Sequence, residues 1–198
     1  MLYIRKGVYE TNSSSSHSIV MTKNDKPSAT IGDSGMIDAG WRVDEKGVMD
    51  FWYENDLEFG RAPFELLTDW YGRLRYAIAS YSGDQEKINE IEEICRCRIA
   101  GFTRFKFKED KWENGEYRGY IDHQSMGVLD AALKKYNVSI DNFIFDDRFI
   151  VVIDGDEYRV FETLMETDLF RKEAVEDIVS ASWQIEEEYW NERDKEKQ

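Results

Sequence analysis

With 198 residues, 41% of them hydrophobic and 14% aromatic, the chain is long enough to bury a real core and reads as globular. Its net charge of −15, from 41 acidic against 26 basic residues, excludes a generic DNA-backbone binder, which would carry a positive surplus. That balance suits either simple solubility or mimicry of a polyanion.

The first stretch with chemistry in it is Tyr9-Glu10-Thr11-Asn12-Ser13-Ser14-Ser15-Ser16-His17-Ser18. Strand-prone runs flank it, Leu2–Val8 before and Ile19-Val20-Met21 after, so it is expected to be a tight polar loop between two strands. Hydroxyls, turn amides and one imidazole converging there suit a phosphate or another anion. Residues Lys23–Gly47 then form an irregular excursion, and Val48–Tyr53 reads as a strand. Pro63 is expected to open a helix whose apolar face is Phe64, Leu67, Trp70, Tyr71, Leu74, Ile78 and Tyr81. Ser82-Gly83 ends it. Asp84 caps a second helix to about Ala100, with Ile88, Ile91, Ile94, Cys95 and Ile99 inward and Gly101 closing it. The two helices are expected to pack as an antiparallel pair, a helical sub-lobe over residues 62–101 of a single domain. Cys95 and Cys97, the two cysteines, lie about 200° apart around that helix, so they neither bridge nor share a metal. With two histidines in the whole chain a zinc site lacks ligands, and no metal or cofactor is expected.

Phe102–Lys108 switches to a period of two, with Arg104, Lys106 and Lys108 on one side and Thr103, Phe105 and Phe107 on the other. Glu113-Asn114-Gly115-Glu116 signals a turn, and Tyr117–Ile121 is the expected partner strand. Arg96–Lys108 holds five basic residues and no acidic one, which reads either as a surface facing nucleic acid or as a solvated strand face. Tyr120-Ile121-Asp122-His123-Gln124-Ser125 then places the second histidine among a carboxylate, an amide and a hydroxyl. Each histidine motif also has a purely structural reading as a well-bonded turn, with Asp122 or Ser125 capping the helix Gly127–Tyr136. Asn142–Asp146 is a compact apolar plug, and Phe149–Ile153 is expected to form a hairpin with Tyr158–Phe161. A last helix runs over Glu166–Trp190, with Val175, Ile178, Val179, Ser182, Ile185 and Tyr189 as its inner stripe. From Glu162 to Gln198 there are 12 acidic and 5 basic residues, net −7. The order of elements predicts an α+β fold: a mostly antiparallel sheet, an inserted helix pair and a C-terminal helix packed on it.

The phosphate-loop and dinucleotide fingerprints GxxxxGK[ST] and GxGxxG are absent, as are HExxH and GxSxG. No run reaches membrane-spanning length and no signal peptide is evident, so a reducing, cytoplasmic setting is expected.

The segment Ile4–Ser18, with its Glu10-Thr11-Asn12-Ser13-Ser14-Ser15-Ser16-His17-Ser18 core, resembles the opening of a family of phage and prophage proteins carrying an ETNSSS(S/T)HS signature. Tyr120–Ser125 and Asn142–Asp146 resemble its second block. The chain is also similar, more faintly, to type II-A anti-CRISPR inhibitors, including a class that shortens guide RNA. The resemblance implies a mobile-element origin and, as partner, a host CRISPR effector or its RNA, within the host cytoplasm.

Two functions follow. In the first, His17 and His123 act as general base and acid on an RNA or nucleotide phosphoester without metal, with Asp122 orienting an imidazole. Thr11, Asn12, Ser13, Ser14, Ser15, Ser18, Gln124 and Ser125 hold the phosphate, Ser16 or Ser18 being a nucleophile in a variant of the scheme. Arg104, Lys106 and Lys108 guide the polyanion. In the second, the protein is a non-catalytic inhibitor whose acidic C-terminal helix occupies a basic channel of a host defence nucleoprotein.

Overall fold

The computed structural model describes residues 9–10, 16–21, 35–52, 56–59, 64–108, 119–121 and 128–154, with single helical positions at 183, 184, 187, 191 and 195. The fold is α+β. Its centre is a four-stranded sheet, antiparallel throughout, in the order β1 (Tyr9–Glu10), β2 (Ser16–Met21), β8 (Phe149–Asp154), β5 (Phe64–Leu67). Two small sheets are parallel instead. In one, β3 (Val48–Trp52) pairs with β6 (Arg104–Lys108); in the other, β4 (Glu58–Phe59) pairs with β7 (Tyr120–Ile121).

β8 is central because Phe149 to Ile153 are apolar at every position, and all five are buried, as a strand covered on both faces requires. Both edges of Val151–Asp154 are taken, by β2 and β5. The neighbours of β8 therefore come from far away in sequence rather than from the expected partner Tyr158–Phe161, which lies outside the described residues. The basic strand β6 likewise pairs with β3 rather than with Tyr117–Ile121.

Among the described residues the helices α1 (Trp70–Ser80), α2 (Gln85–Arg98), α3 (Val128–Tyr136) and α4 (Ile140–Phe145) stand beside the sheets. The helix expected to open at Pro63 starts later. Phe64–Leu67 is a strand on the edge of β8, and the Asp69 carboxylate accepts from the Gly72 N–H at 2.6 Å to begin α1 at Trp70. Asp84 caps α2 as expected, by accepting from the Lys87 N–H, and Ile88, Ile91 and Cys95 are buried. α1 and α2 do not pack along each other as an antiparallel pair; each rests instead on α4. The apolar plug is this helix, opened by Ser139, whose hydroxyl accepts from the Asn142 N–H. Burial pushes the Cys95 thiol well above its ordinary range, so it behaves as an apolar core group.

One hydrophobic cluster joins α1, α2, α3, α4, β3, β5, β6 and β8 through Leu74, Ile78, Ile91, Leu129, Phe143, Phe51, Leu67, Phe105 and Val151. Among the described residues no helix is long and apolar enough to cross a membrane. Trp183, Glu187, Asn191 and Lys195 are helical positions and exposed; the expected inner stripe lies outside the described residues.

The junction that pairs β3 with β6 is set by Gly47, at φ +78. Its carbonyl accepts from the Thr103 N–H at 2.7 Å, and an added Cβ would collide with the Gly101 carbonyl oxygen and lie 2.9 Å from Thr103 Oγ1. Gly47→Ala is expected to cost about 2–4 kcal/mol, from left-handed backbone strain plus overlap with main chain that cannot yield. A drop in the urea midpoint at unchanged m-value is the corresponding readout, and a variant as stable as wild type would contradict this account of the junction.

Candidate functional site

The first histidine motif is a hairpin. Ser16, His17 and Ser18 are the opening residues of β2 rather than members of the loop; Thr11, Asn12, Ser13, Ser14 and Ser15 lie outside the described residues. Register then separates the motif's chemistry by face. Directly opposed residues in an antiparallel sheet share a face, and neighbours along a strand alternate. His17 sits in the row Tyr9, His17, Ile153, Glu65, on the face that Ile19 and Val151 share. Ser16 sits in the row Glu10, Ser16, Asp154, Phe64, on the opposite face, where Ser18 also falls.

The His17 row brings in a residue that motif reading missed. Glu65 lies two strands away, about 10 Å at the usual strand spacing. That is too far for a direct hydrogen bond, but it is on the same face. Burial raises the Glu65 carboxyl above its ordinary range, with the Arg75 charge partly opposing. The only hint in the sequence was one acidic residue inside the apolar run Phe64–Leu67.

The second motif is reached through β7, whose partner β4 belongs to a different sheet from β2. Asp122, His123, Gln124 and Ser125 lie outside the described residues.

The expected nucleic-acid face is organised by β6. Phe105 is buried and Phe107 partly so, against Phe51 of β3, with ring centroids 5.4 and 5.9 Å apart. This packing turns Arg104, Lys106 and Lys108 outward. The parallel register sets Val48, Asp50 and Trp52 beside them. Trp52 is 45% exposed, and the Lys108 ammonium stands 4.5 Å from its ring centroid. Space thins the basic run that sequence counting suggested. Arg96 pairs with Glu92 and Glu93, Arg98 holds Asp141 through two hydrogen bonds, and Lys108 pairs with Asp50. Arg104 and Lys106 have no ion pair among the described residues. A window along the chain cannot show carboxylates one helical turn back or on another element.

A second group of aromatic and cationic side chains stands in the loop before β3. Ile37 N–H donates to the Arg98 carbonyl at 2.8 Å and Ala100 N–H returns a bond to Ile37, so the loop is pinned to the end of α2. A 3-10 turn, Gly40–Arg42, follows. It leaves Trp41 84% exposed and lays the Arg42 guanidinium 4.5 Å from the Tyr71 ring centroid, 5.1 Å from Trp41 and 5.9 Å from Trp70. The Arg42 Nε–H is buried and has no acceptor among the described residues, at a cost of about 1–3 kcal/mol. Arg75 lies over the other neighbours of this group, 5.3 Å from the Phe59 centroid and 5.9 Å from Tyr71. Since Arg75 also acts electrostatically on Glu65, the loop and the His17 row are linked through one cation.

No protein-family model, characterised protein or solved structure matches this chain.

Proposed function

We propose that the protein is a phage- or prophage-encoded counter-defence protein of anti-CRISPR type, which engages RNA and acts on its phosphoesters through the Ser/His motifs. The observation that supports this reading is the outer face of β3 and β6: Arg104 and Lys106 without ion pairs among the described residues, Lys108, and the exposed indole of Trp52. Cations tracking a backbone beside an aromatic surface for bases are what a nucleic-acid strand requires, and here they interrupt a chain of net charge −15. In this reading His17 and His123 share general base and acid roles, with Asp122 orienting an imidazole. The loop hydroxyls and amides of Thr11 to Ser15 hold the phosphate.

The test uses purified protein, labelled structured RNA and EDTA, with and without a host CRISPR effector. Wild type is expected to truncate the RNA, and His17→Ala or His123→Ala to slow truncation at least about 100-fold while remaining folded. Truncation undiminished in both variants would remove the two-histidine mechanism.

The second reading, an acidic mimic that blocks a host nucleoprotein, is favoured by the exposed helical position Glu187 within the segment of net charge −7. It predicts the reverse pattern: effector binding survives both histidine changes and falls when Glu186, Glu187 and Glu188 are replaced by glutamine.

A further inference from the structure

We propose that Trp41 and Arg42 form a subsite for one unpaired nucleotide of an RNA strand, the base stacked on the Trp41 indole and the adjoining phosphate held by the Arg42 guanidinium. This rests on the reading that the protein handles RNA, and it names the form of RNA taken: single-stranded.

Three observations carry it. The Trp41 indole is almost fully solvent-exposed, yet it stands on a loop that is held rather than loose. The Ile37 bonds pin the loop to α2, the Asp38 carboxylate accepts from the Gly40 N–H at 2.9 Å, and the Arg42 N–H donates to the Ala39 carbonyl at 3.1 Å. A fixed, exposed indole is a stacking surface whose ordering cost has already been met by the fold. Next, Arg42 has no hydrogen-bonded or ionic partner for its guanidinium among the described residues, in a chain with 41 carboxylates. Four other described arginines are engaged: Arg73 by carbonyls, and Arg96, Arg98 and Arg148 by carboxylates. Tyr71, Trp41 and Trp70 orient the guanidinium without neutralising it, which leaves a positioned cation in need of an anion. Finally, the ring under Arg42 is itself fixed: Tyr71 lies parallel to the fully buried Phe51 at 6.1 Å, so the guanidinium rests on a surface continuous with the core.

An exposed indole beside an unneutralised cation matches the pairing of a base with its phosphate in a single strand. Bases inside a duplex are already stacked on each other and offer no free face. A carboxylate peptide would satisfy Arg42 but leave the indole without a partner.

The experiment measures binding of a fluorescein-labelled oligouridylate and of a blunt RNA duplex of equal length, by anisotropy at low salt. Wild type, Trp41→Ala, Trp41→Phe and Arg42→Lys are compared. Trp41→Ala is expected to weaken single-strand binding about tenfold, the value of one base–aromatic stack, with duplex binding changed less than about twofold. Trp41→Phe should keep most of the affinity, and Arg42→Lys should lose several-fold because an ammonium cannot lie flat on the Tyr71 ring. Trp41 is exposed, so its variants should keep the wild-type melting temperature, and the test does not depend on Arg42→Lys folding. Trp41→Ala binding the single strand like wild type overturns the subsite and leaves the RNA reading standing, as does an equal loss for single strand and duplex. A wild-type protein that binds neither RNA removes both.

Discussion

Replacing Arg73 by leucine is expected to destabilise the protein by about 3 kcal/mol, a large part of the 5–15 kcal/mol that holds a typical domain together. Arg73 is fully buried on α1. Its Nε–H donates to the Ile144 carbonyl at 3.0 Å, and its Nη1 donates to the Thr68 and Phe149 carbonyls at 2.8 Å each. One side chain thus ties the end of α4, the start of α1 and the start of β8. The opposing term is real. Burial pushes the Arg73 pKa down to about 10 despite the nearby Asp69, Asp147 and Asp146, a drop worth about 3 kcal/mol of desolvation that leucine would not carry. It stays a cation at neutral pH. Against that relief stand three carbonyls left without this donor, at about 1–3 kcal/mol each, and the loss of a positive charge near Asp69 and Asp147. The losses win. Urea unfolding followed by tryptophan fluorescence measures the difference, with Arg73→Lys as companion: it keeps the charge but cannot reproduce the planar fork, and should lose nearly as much. A leucine variant within 0.5 kcal/mol of wild type would mean that the three carbonyls find other donors.

The second large effect is expected at Phe51, where substitution by alanine should cost about 3–5 kcal/mol. The ring is fully buried. It packs edge-on against Phe105 at 5.4 Å and parallel to Phe107 at 5.9 Å and Tyr71 at 6.1 Å. Removing it opens a cavity between β3 and the helix α1 that carries Tyr71. Phe51→Leu, which refills most of the volume, should cost much less. Thermal melts of both variants give the comparison, and equal losses for the two would point to backbone disruption rather than a cavity. Because Phe51 supports the β6 face and Tyr71 supports Arg42, a folded Phe51→Ala protein should also bind RNA more weakly under the proposed function.

What the chain order alone could show was whatever neighbours along the chain decide. The Asp84 cap, the inner face Ile88, Ile91 and Cys95 of α2, the strand Val48–Trp52 and the alternation that turns Arg104, Lys106 and Lys108 outward all follow from period and capping chemistry. Partner choice does not. Phe64–Leu67 has spacing that fits a helix as well as a strand, and the free edge of β8 decided for the strand. β6 took β3, some fifty residues earlier, over the nearer Tyr117–Ile121. Glu65 joined the His17 row because β8 lies between β2 and β5, and Glu92, Glu93, Asp50 and Asp141 neutralised cations that look free in a linear window. Trp41 and Arg42, unremarkable in a Gly- and Asp-rich stretch, became a platform when the Ile37 bridge and the rings of Trp70 and Tyr71 fixed them. Local periodicity sets which face of an element is apolar; the competition of many faces for one core sets what each face meets, and that competition is settled only in three dimensions.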